Sequence, residues 1–244
     1  MTSTRQRVDR LLVTRGLFES RAKAQAAIEA GLVTADGKTV CKASEEIPTD
    51  AALQASAVHP YVSRGGVKLA AALDRFGFDP KGRVCLDVGA STGGFTQVLL
   101  QRGARRVYAV DVGHGQLHES LRARLDIVAF EDTDIRTLSP ARLDERPDLI
   151  TIDVSFISLK LVLPAALALA STPVQLVALI KPQFEAGRGA VKKGIVRDAD
   201  VRNAVCNDIG DYVGSLGWRL VGIVPSPIEG GDGNAEFLLG ATHD

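Results

Sequence analysis

The ten residues Asp87-Val88-Gly89-Ala90-Ser91-Thr92-Gly93-Gly94-Phe95-Thr96 constrain this chain more than any other stretch. They follow a short apolar run, Val84-Cys85-Leu86, and lead into a helical pattern, Val98-Leu99-Leu100, that stops at Gly103. Strand, glycine-rich turn and helix present backbone N–H groups and a positive helix end to a ligand. The dinucleotide fingerprint G-x-G-x-x-G fails here, because Ser91 stands where its second glycine is needed. That glycine lets a pyrophosphate approach the backbone, so a nicotinamide or flavin reading is weakened.

Further apolar runs follow and several end in charge. Arg106 to Val110 ends in Asp111, and Ile127 to Phe130 runs into Glu131-Asp132-Thr133-Asp134. Leu149 to Ile152 ends in Asp153, and Val174 to Ile180 ends in Lys181. Two more strands are predicted from Trp218 to Val224 and from Ala235 to Gly240, with Glu236 near the start of the second. Helical patterns lie between them, the longest from about Ala199 to Leu216. Alternating strands and helices predict an α/β fold, a doubly wound and mostly parallel seven-stranded sheet. Ligands in such sheets bind at the carboxyl ends of the strands. An acid at the tip of the second strand, about 20 residues past the loop, accepts hydrogen bonds from ribose hydroxyls, and Asp111 has that place. Asp134 is placed to reach an adenine amino group. Asp153 and Lys181 close buried strands, where a charge is expensive unless paired or used, so a structural ion pair and a reactive pair are both open. Lys68 falls near the start of a helix that opens at Ser63-Arg64-Gly65-Gly66, an unfavourable place for a cation. His114 and His118 have no third ligand nearby, so no metal is expected.

Ahead of this domain, residues 1–60 read as a small α+β module and linker. Val8, Leu11 and Leu12 have helical spacing, Ser20 can cap a second helix, and Asp36-Gly37 can turn a hairpin. Over residues 1–43, eight basic residues face four acidic ones. A surplus of that kind suits phosphate contacts, and a merely solvated basic face is the plain alternative. Arg5, Arg7, Arg15, Arg21 and Lys23 are the candidates there, with Arg64 at the junction. Arg188, Lys192 and Lys193 lie in a glycine-punctuated basic loop beside the strand ends. Net charge is zero, so any polyanion must be met by local patches. The start of the chain has no apolar core of a signal peptide, and no apolar stretch approaches the roughly 20 residues of a membrane span. Cys41, Cys85 and Cys206 are widely spaced and form no C-x-x-C, which fits reduced thiols in a cytoplasmic protein.

Three resemblances sharpen these readings. The form D-x-G-x-x-x-G-G is similar to the S-adenosylmethionine loop of methyltransferases. Arg7-Val8-Asp9-Arg10-Leu11-Leu12, Ser20-Arg21-Ala22-Lys23-Ala24 and Ile28-Glu29-Ala30-Gly31-Leu32-Val33 resemble the S4-type RNA-binding domain. Lys68, Asp153, Lys181 and Glu236, in those strand contexts, resemble the catalytic Lys-Asp-Lys-Glu tetrad of the FtsJ-type ribose 2′-O-methyltransferases. With Tyr61-Val62-Ser63-Arg64-Gly65-Gly66 at the junction and Gly233-Asn234-Ala235-Glu236-Phe237 near the end, the chain resembles the TlyA family.

The resemblance implies a Rossmann-like class I methyltransferase domain over residues 61–244. It also implies S-adenosylmethionine as cofactor, held by Asp87, Gly89, Ala90, Ser91, Gly93, Gly94, Phe95, Asp111, Val112, Asp134 and Ile135. The implied partner is ribosomal RNA or a ribosomal subunit, methylated on a cytidine 2′-hydroxyl. Lys181 is then the base, with the nearby cation Lys68 lowering its pKa and Asp153 and Glu236 orienting the amines and the hydroxyl. The rivals are an RNA-binding protein without catalysis, a small-molecule methyltransferase, and a membrane-lytic haemolysin, a label some family members carry.

Overall fold

The computed structural model describes residues 4–230 and 233–244, with the backbone but not the side chain of Arg188. The chain divides into two compact units, residues 1–60 and 61–244.

In the small unit, β1 (Arg5–Arg7) leads directly into α1 (Val8–Thr14), and α2 (Arg21–Glu29) follows. The Ser20 hydroxyl caps α2 by accepting the Lys23 N–H at 3.3 Å. β2 (Val33–Ala35) and β3 (Lys38–Thr39) form the predicted hairpin. Asp36 and Gly37 both take positive φ, 48° and 77°, as its tight turn demands. β4 (Glu46–Pro48) pairs with β1, and β5 (Leu53–Ala55) pairs with the other edge of β2. Val8, Leu12, Ala24, Ala27, Ile28 and Val33 pack into one core.

The large unit opens with α3 (Gly65–Phe76), which ends at Gly77 in the left-handed conformation. Then come β6 (Val84–Val88), α4 (Gly94–Gln101), β7 (Arg106–Val110), α5 (Glu119–Arg122), β8 (Ile127–Phe130) and β9 (Leu149–Ile152). The rest is α6 (Leu159–Ala168), β10 (Val174–Ile180), α7 (Pro182–Glu185), α8 (Ala199–Ser215), β11 (Arg219–Pro225) and β12 (Phe237–His243). The strands form one sheet in the order β11-β12-β10-β9-β6-β7-β8, in which β12 runs antiparallel between β10 and β11. Alternate residues of the buried strands point to opposite layers. Leu86, Ile150, Leu176 and Ala178 pack with Leu163 of α6 and Ile209 of α8. Cys85, Leu149, Val177 and Leu179 pack with Leu69 and Leu73 of α3 and Leu99 of α4. Each fully buried leucine contributes about 1.5–3 kcal/mol by leaving water. The consequence for function is a rigid sheet with one row of carboxyl-terminal strand ends.

Candidate active site

Four charged side chains meet along that row. Asp153 directly follows β9 and Lys181 directly follows β10. Glu236 directly precedes β12, whose Phe237 pairs with Ile180, so the antiparallel register puts Glu236 beside Lys181 along the ladder. Lys68 comes from the first turn of α3. Its Nζ donates to Glu236 Oε2, and both side chains are buried. The cation that the helix dipole disfavours is thus met by a carboxylate in direct contact. Lys181 Nζ lies 2.6 Å from Asp153 Oδ1 and donates to the Ser155 hydroxyl at 2.9 Å. Each lysine therefore has its own carboxylate, and the charge of Lys68 is largely compensated by Glu236 where the sequence suggests an open cation.

Supporting residues surround these pairs, and of these the sequence marks only Asn234, as part of the Gly233-to-Phe237 motif. A Cβ on Gly230 would stand 2.0 Å from Glu236 Oε1, so only glycine leaves room for the carboxylate there. Asn234 is buried and donates through Nδ2 to the Gly194 carbonyl at 3.0 Å, which ties the basic loop to the approach of β12. Ser155 gives no sequence signal, being a single small polar residue in a loop.

Beside Asp153 lies a cavity of about 370 Å³, within the range of small-molecule sites. Gly89, Ser91, Asp111, Val112, Asp134 and Ile135 are all in its wall, together with Asp153, Ser155 and Phe156. Both Asp111 oxygens are held by backbone donors, Oδ2 by the Ser91 N–H at 2.8 Å and Oδ1 by the Gly113 N–H at 2.7 Å. Ser91 reaches this position with φ 47°, a left-handed conformation more often left to glycine. Gly89 has φ 82°, and a Cβ there would stand 2.3 Å from the Asp153 carbonyl oxygen. Asp134 accepts from the Arg136 N–H at 2.9 Å, and the Arg136 guanidinium beside it holds its carboxyl below the usual carboxylate range. A fixed acid at the second strand tip, a loop without side-chain bulk and a second acid 23 positions on make a cradle that fits a nucleoside.

The other loop residues shape this cradle from outside its wall. Asp87 is fully buried and accepts from Thr96 Oγ1 at 2.6 Å and Thr151 Oγ1 at 3.1 Å, bracing β6 against α4 and β9. Burial pushes its carboxyl up to about 7, against the lowering effect of those hydroxyls. Gly93 caps α4 at φ 92°, Phe95 packs in the α3–α4 layer, and Ala90 and Gly94 are buried around the turn.

The basic residues singled out in the small unit are mostly committed to internal partners. Arg7 and Arg21 both pair with the buried Asp9, which also accepts from Gln25 at 2.9 Å. These contacts, the Arg7 hydrogen bond first, hold the Asp9 carboxyl well below its ordinary range. Asp9 is sealed yet shallow, since the arginine side chains that cover it are 38% and 47% exposed. Arg5 donates to the Glu46 carbonyl, Arg15 to the carbonyls of Ala51 and Thr49, and Lys23 pairs with Glu19. Arg64 precedes α3 and is exposed, as are Lys192 and Lys193. The side chain of Arg188 lies outside the described residues. Among the described residues no group of three His, Cys, Asp or Glu side chains is placed to hold a metal ion.

A sheet of this order, with a glycine loop after its first strand and an acid after its second, has the architecture of a class I methyltransferase. The chain belongs to the FtsJ-like methyltransferase family, whose profile matches residues 61–243, and the S4 domain profile matches residues 6–51. A Bacillus subtilis protein with the provisional name rRNA methyltransferase YqxC is 47% identical over 243 residues, 98% of this chain and 86% of the relative. The 16S/23S rRNA (cytidine-2′-O)-methyltransferase TlyA of Mycobacterium tuberculosis is 45% identical over 238 residues, 96% of this chain and 89% of the relative. A solved structure from Streptococcus thermophilus, provisionally described as a hemolysin, superposes with a TM-score of 0.78 at 41% identity, covering 99% of this chain and 89% of that one. Among the described residues no helix is long and apolar enough to cross a membrane.

Proposed function

We propose that this protein transfers the methyl group of S-adenosylmethionine to the 2′-hydroxyl of a cytidine ribose in ribosomal RNA, and does so in the cytoplasm, where ribosomal particles are met. The observation that carries this reading is the Lys181–Asp153 and Lys68–Glu236 pairs beside a nucleoside-sized cavity that shares Asp153 in its wall. The relatives named as rRNA methyltransferases support the choice of RNA.

The bound cofactor would supply a sulfonium-activated methyl group, so the protein's own task lies with the hydroxyl. Asp111 and Asp134 would hold the nucleoside end through its hydroxyls and amino group. Lys181 is the base: its Nζ would take the ribose hydroxyl proton as that oxygen accepts the methyl group. Asp153 holds that amine and then balances the ammonium. Lys68 and Glu236, neutral as a pair, wall the ribose in and fix its approach. The small unit and the basic loop dock the RNA by phosphate contacts. The exposed Arg10, Lys38 and Lys42 extend the contact set beyond the basic residues singled out in the sequence.

The test is transfer of labelled methyl from S-adenosylmethionine to rRNA in ribosomal particles, wild type beside Lys181→Ala, with the labelled nucleotide mapped. Label on a cytidine ribose, falling about 10²–10⁴-fold in the variant, is the expected result. Full transfer by the variant would overturn the role of Lys181.

A further inference from the structure

Two oxygens flank Lys181 Nζ, and they act on it differently. Asp153 Oδ1 is the nearer at 2.6 Å and meets Nζ as an ion pair. Ser155 Oγ, at 2.9 Å, accepts a hydrogen bond from Nζ. The carboxylate thus supplies attraction with little direction, and the hydroxyl supplies direction. A lysine ammonium or amine on a flexible four-carbon stem needs such an acceptor, because Coulomb attraction alone leaves the nitrogen free to pivot.

Ser155 is itself well placed. It lines the cavity next to Asp153 and Phe156. Phe156, the next residue, is exposed and takes φ 65°, a costly backbone conformation for an aromatic residue. Its ring rests 5.0 Å from that of Phe184 on α7, the helix that begins directly after Lys181. Pro182 fixes the backbone on the far side of the lysine. The loop bearing the hydroxyl and the helix start bearing the amine therefore meet through the hydrogen bond and through this ring contact at the surface.

We propose that Ser155 is a positioning residue for methyl transfer. It accepts one N–H of Lys181 and so turns the amine's lone pair towards the ribose hydroxyl at the mouth of the cavity. This inference rests on Lys181 as the proton acceptor.

The experiment is single-turnover methyl transfer to ribosomal particles by the full-length protein, comparing Ser155→Ala, Ser155→Thr, Lys181→Ala and the Ser155→Ala/Lys181→Ala double variant. Calorimetric binding of S-adenosylhomocysteine is measured alongside. Ser155 is exposed, so its replacements should leave the fold intact. Ser155→Ala should slow transfer about ten- to a hundredfold, the cost of a misaimed group. KM for the particle and the calorimetric affinity should stay unchanged. Ser155→Thr keeps the acceptor and should recover most of the rate. The double variant should be no slower than Lys181→Ala, because a residue acting through Lys181 has nothing left to aim. Wild-type rate in Ser155→Ala would overturn the proposal. So would equal losses in Ala and Thr, or further slowing in the double variant. A fully active Lys181→Ala would instead overturn the base assignment beneath it, and is read separately.

Discussion

Asp87 and Asp9 are both closed off from water, and their surroundings push them in opposite directions. Asp9 is covered by guanidinium groups that favour its charge, so its contribution to stability is present at neutral pH and lost on acidification. Asp87 accepts from two threonine hydroxyls and from the Thr96 backbone N–H, yet burial outweighs them and its carboxyl is pushed up to about 7. Its unfolded value is about 3.9. Between those values the folded chain keeps a proton that the unfolded chain has released. Stability from this group is therefore full below about pH 4 and lost as pH rises to about 7. Asp87→Asn removes the titration and keeps a group that the two threonines can bond. The difference in Tm between variant and wild type should move in the variant's favour from pH 4 to pH 7 and then level off. Melting curves that run parallel across that interval would contradict the assignment.

At the scale of elements, what sets the candidate active site is how α3 lies on the sheet. α3 carries Lys68 at one end and Phe76 at the other, and β12 follows directly on Glu236. The Phe76 ring covers Gly240 of β12, where a Cβ would stand 2.6 Å from the ring. Gly240→Ala relieves the glycine's conformational entropy by about 0.5–1 kcal/mol, but overpacking costs about 1–3 kcal/mol and should win. The expected outcome is a lower Tm and slower methyl transfer together, since the displaced ring tilts the helix that delivers Lys68. A variant with raised Tm and unchanged rate would show that the ring simply swings aside.

The same scale explains what the sequence could reveal. The long apolar strands, the loop after β6 and the acid after β7 are legible because period, length and position in an α/β order all agree. β1, β4 and β5 have three residues each, too few to display alternation, and pairing across the small unit decides them. The charged strand ends Asp153 and Lys181 stand out in sequence, but which carboxylate meets which amine depends on register. Ser155, Gly230 and Asn234 act through individual contacts and leave no periodic trace. Arg7 and Arg21 look like free cations because their common partner Asp9 is 12 residues from one of them, a spacing no local rule connects.

The whole large unit must be assembled before its site exists. Lys68 and Glu236 are 168 residues apart, with Asp153 and Lys181 between them on neighbouring strands. The single tryptophan, Trp218, is buried just before β11 and packs 5.4 Å from His243 at the end of β12, so it reports on the far edge of that sheet. In urea, loss of methyl transfer and the shift in Trp218 emission should share one midpoint, as cooperative unfolding of the sheet requires. Activity that outlasts the tryptophan signal would mean that the β11–β12 edge detaches without disturbing the site.

The antiparallel insertion of β12 between β10 and β11 has one more consequence. A molecule caught without it has Lys181 at the rim of an unfinished sheet and no Glu236 to receive Lys68. Such a molecule is silent; it has no loosened version of the site with which to mark the wrong nucleotide. Each mark on an RNA is then testimony that an intact unit was present when it was made.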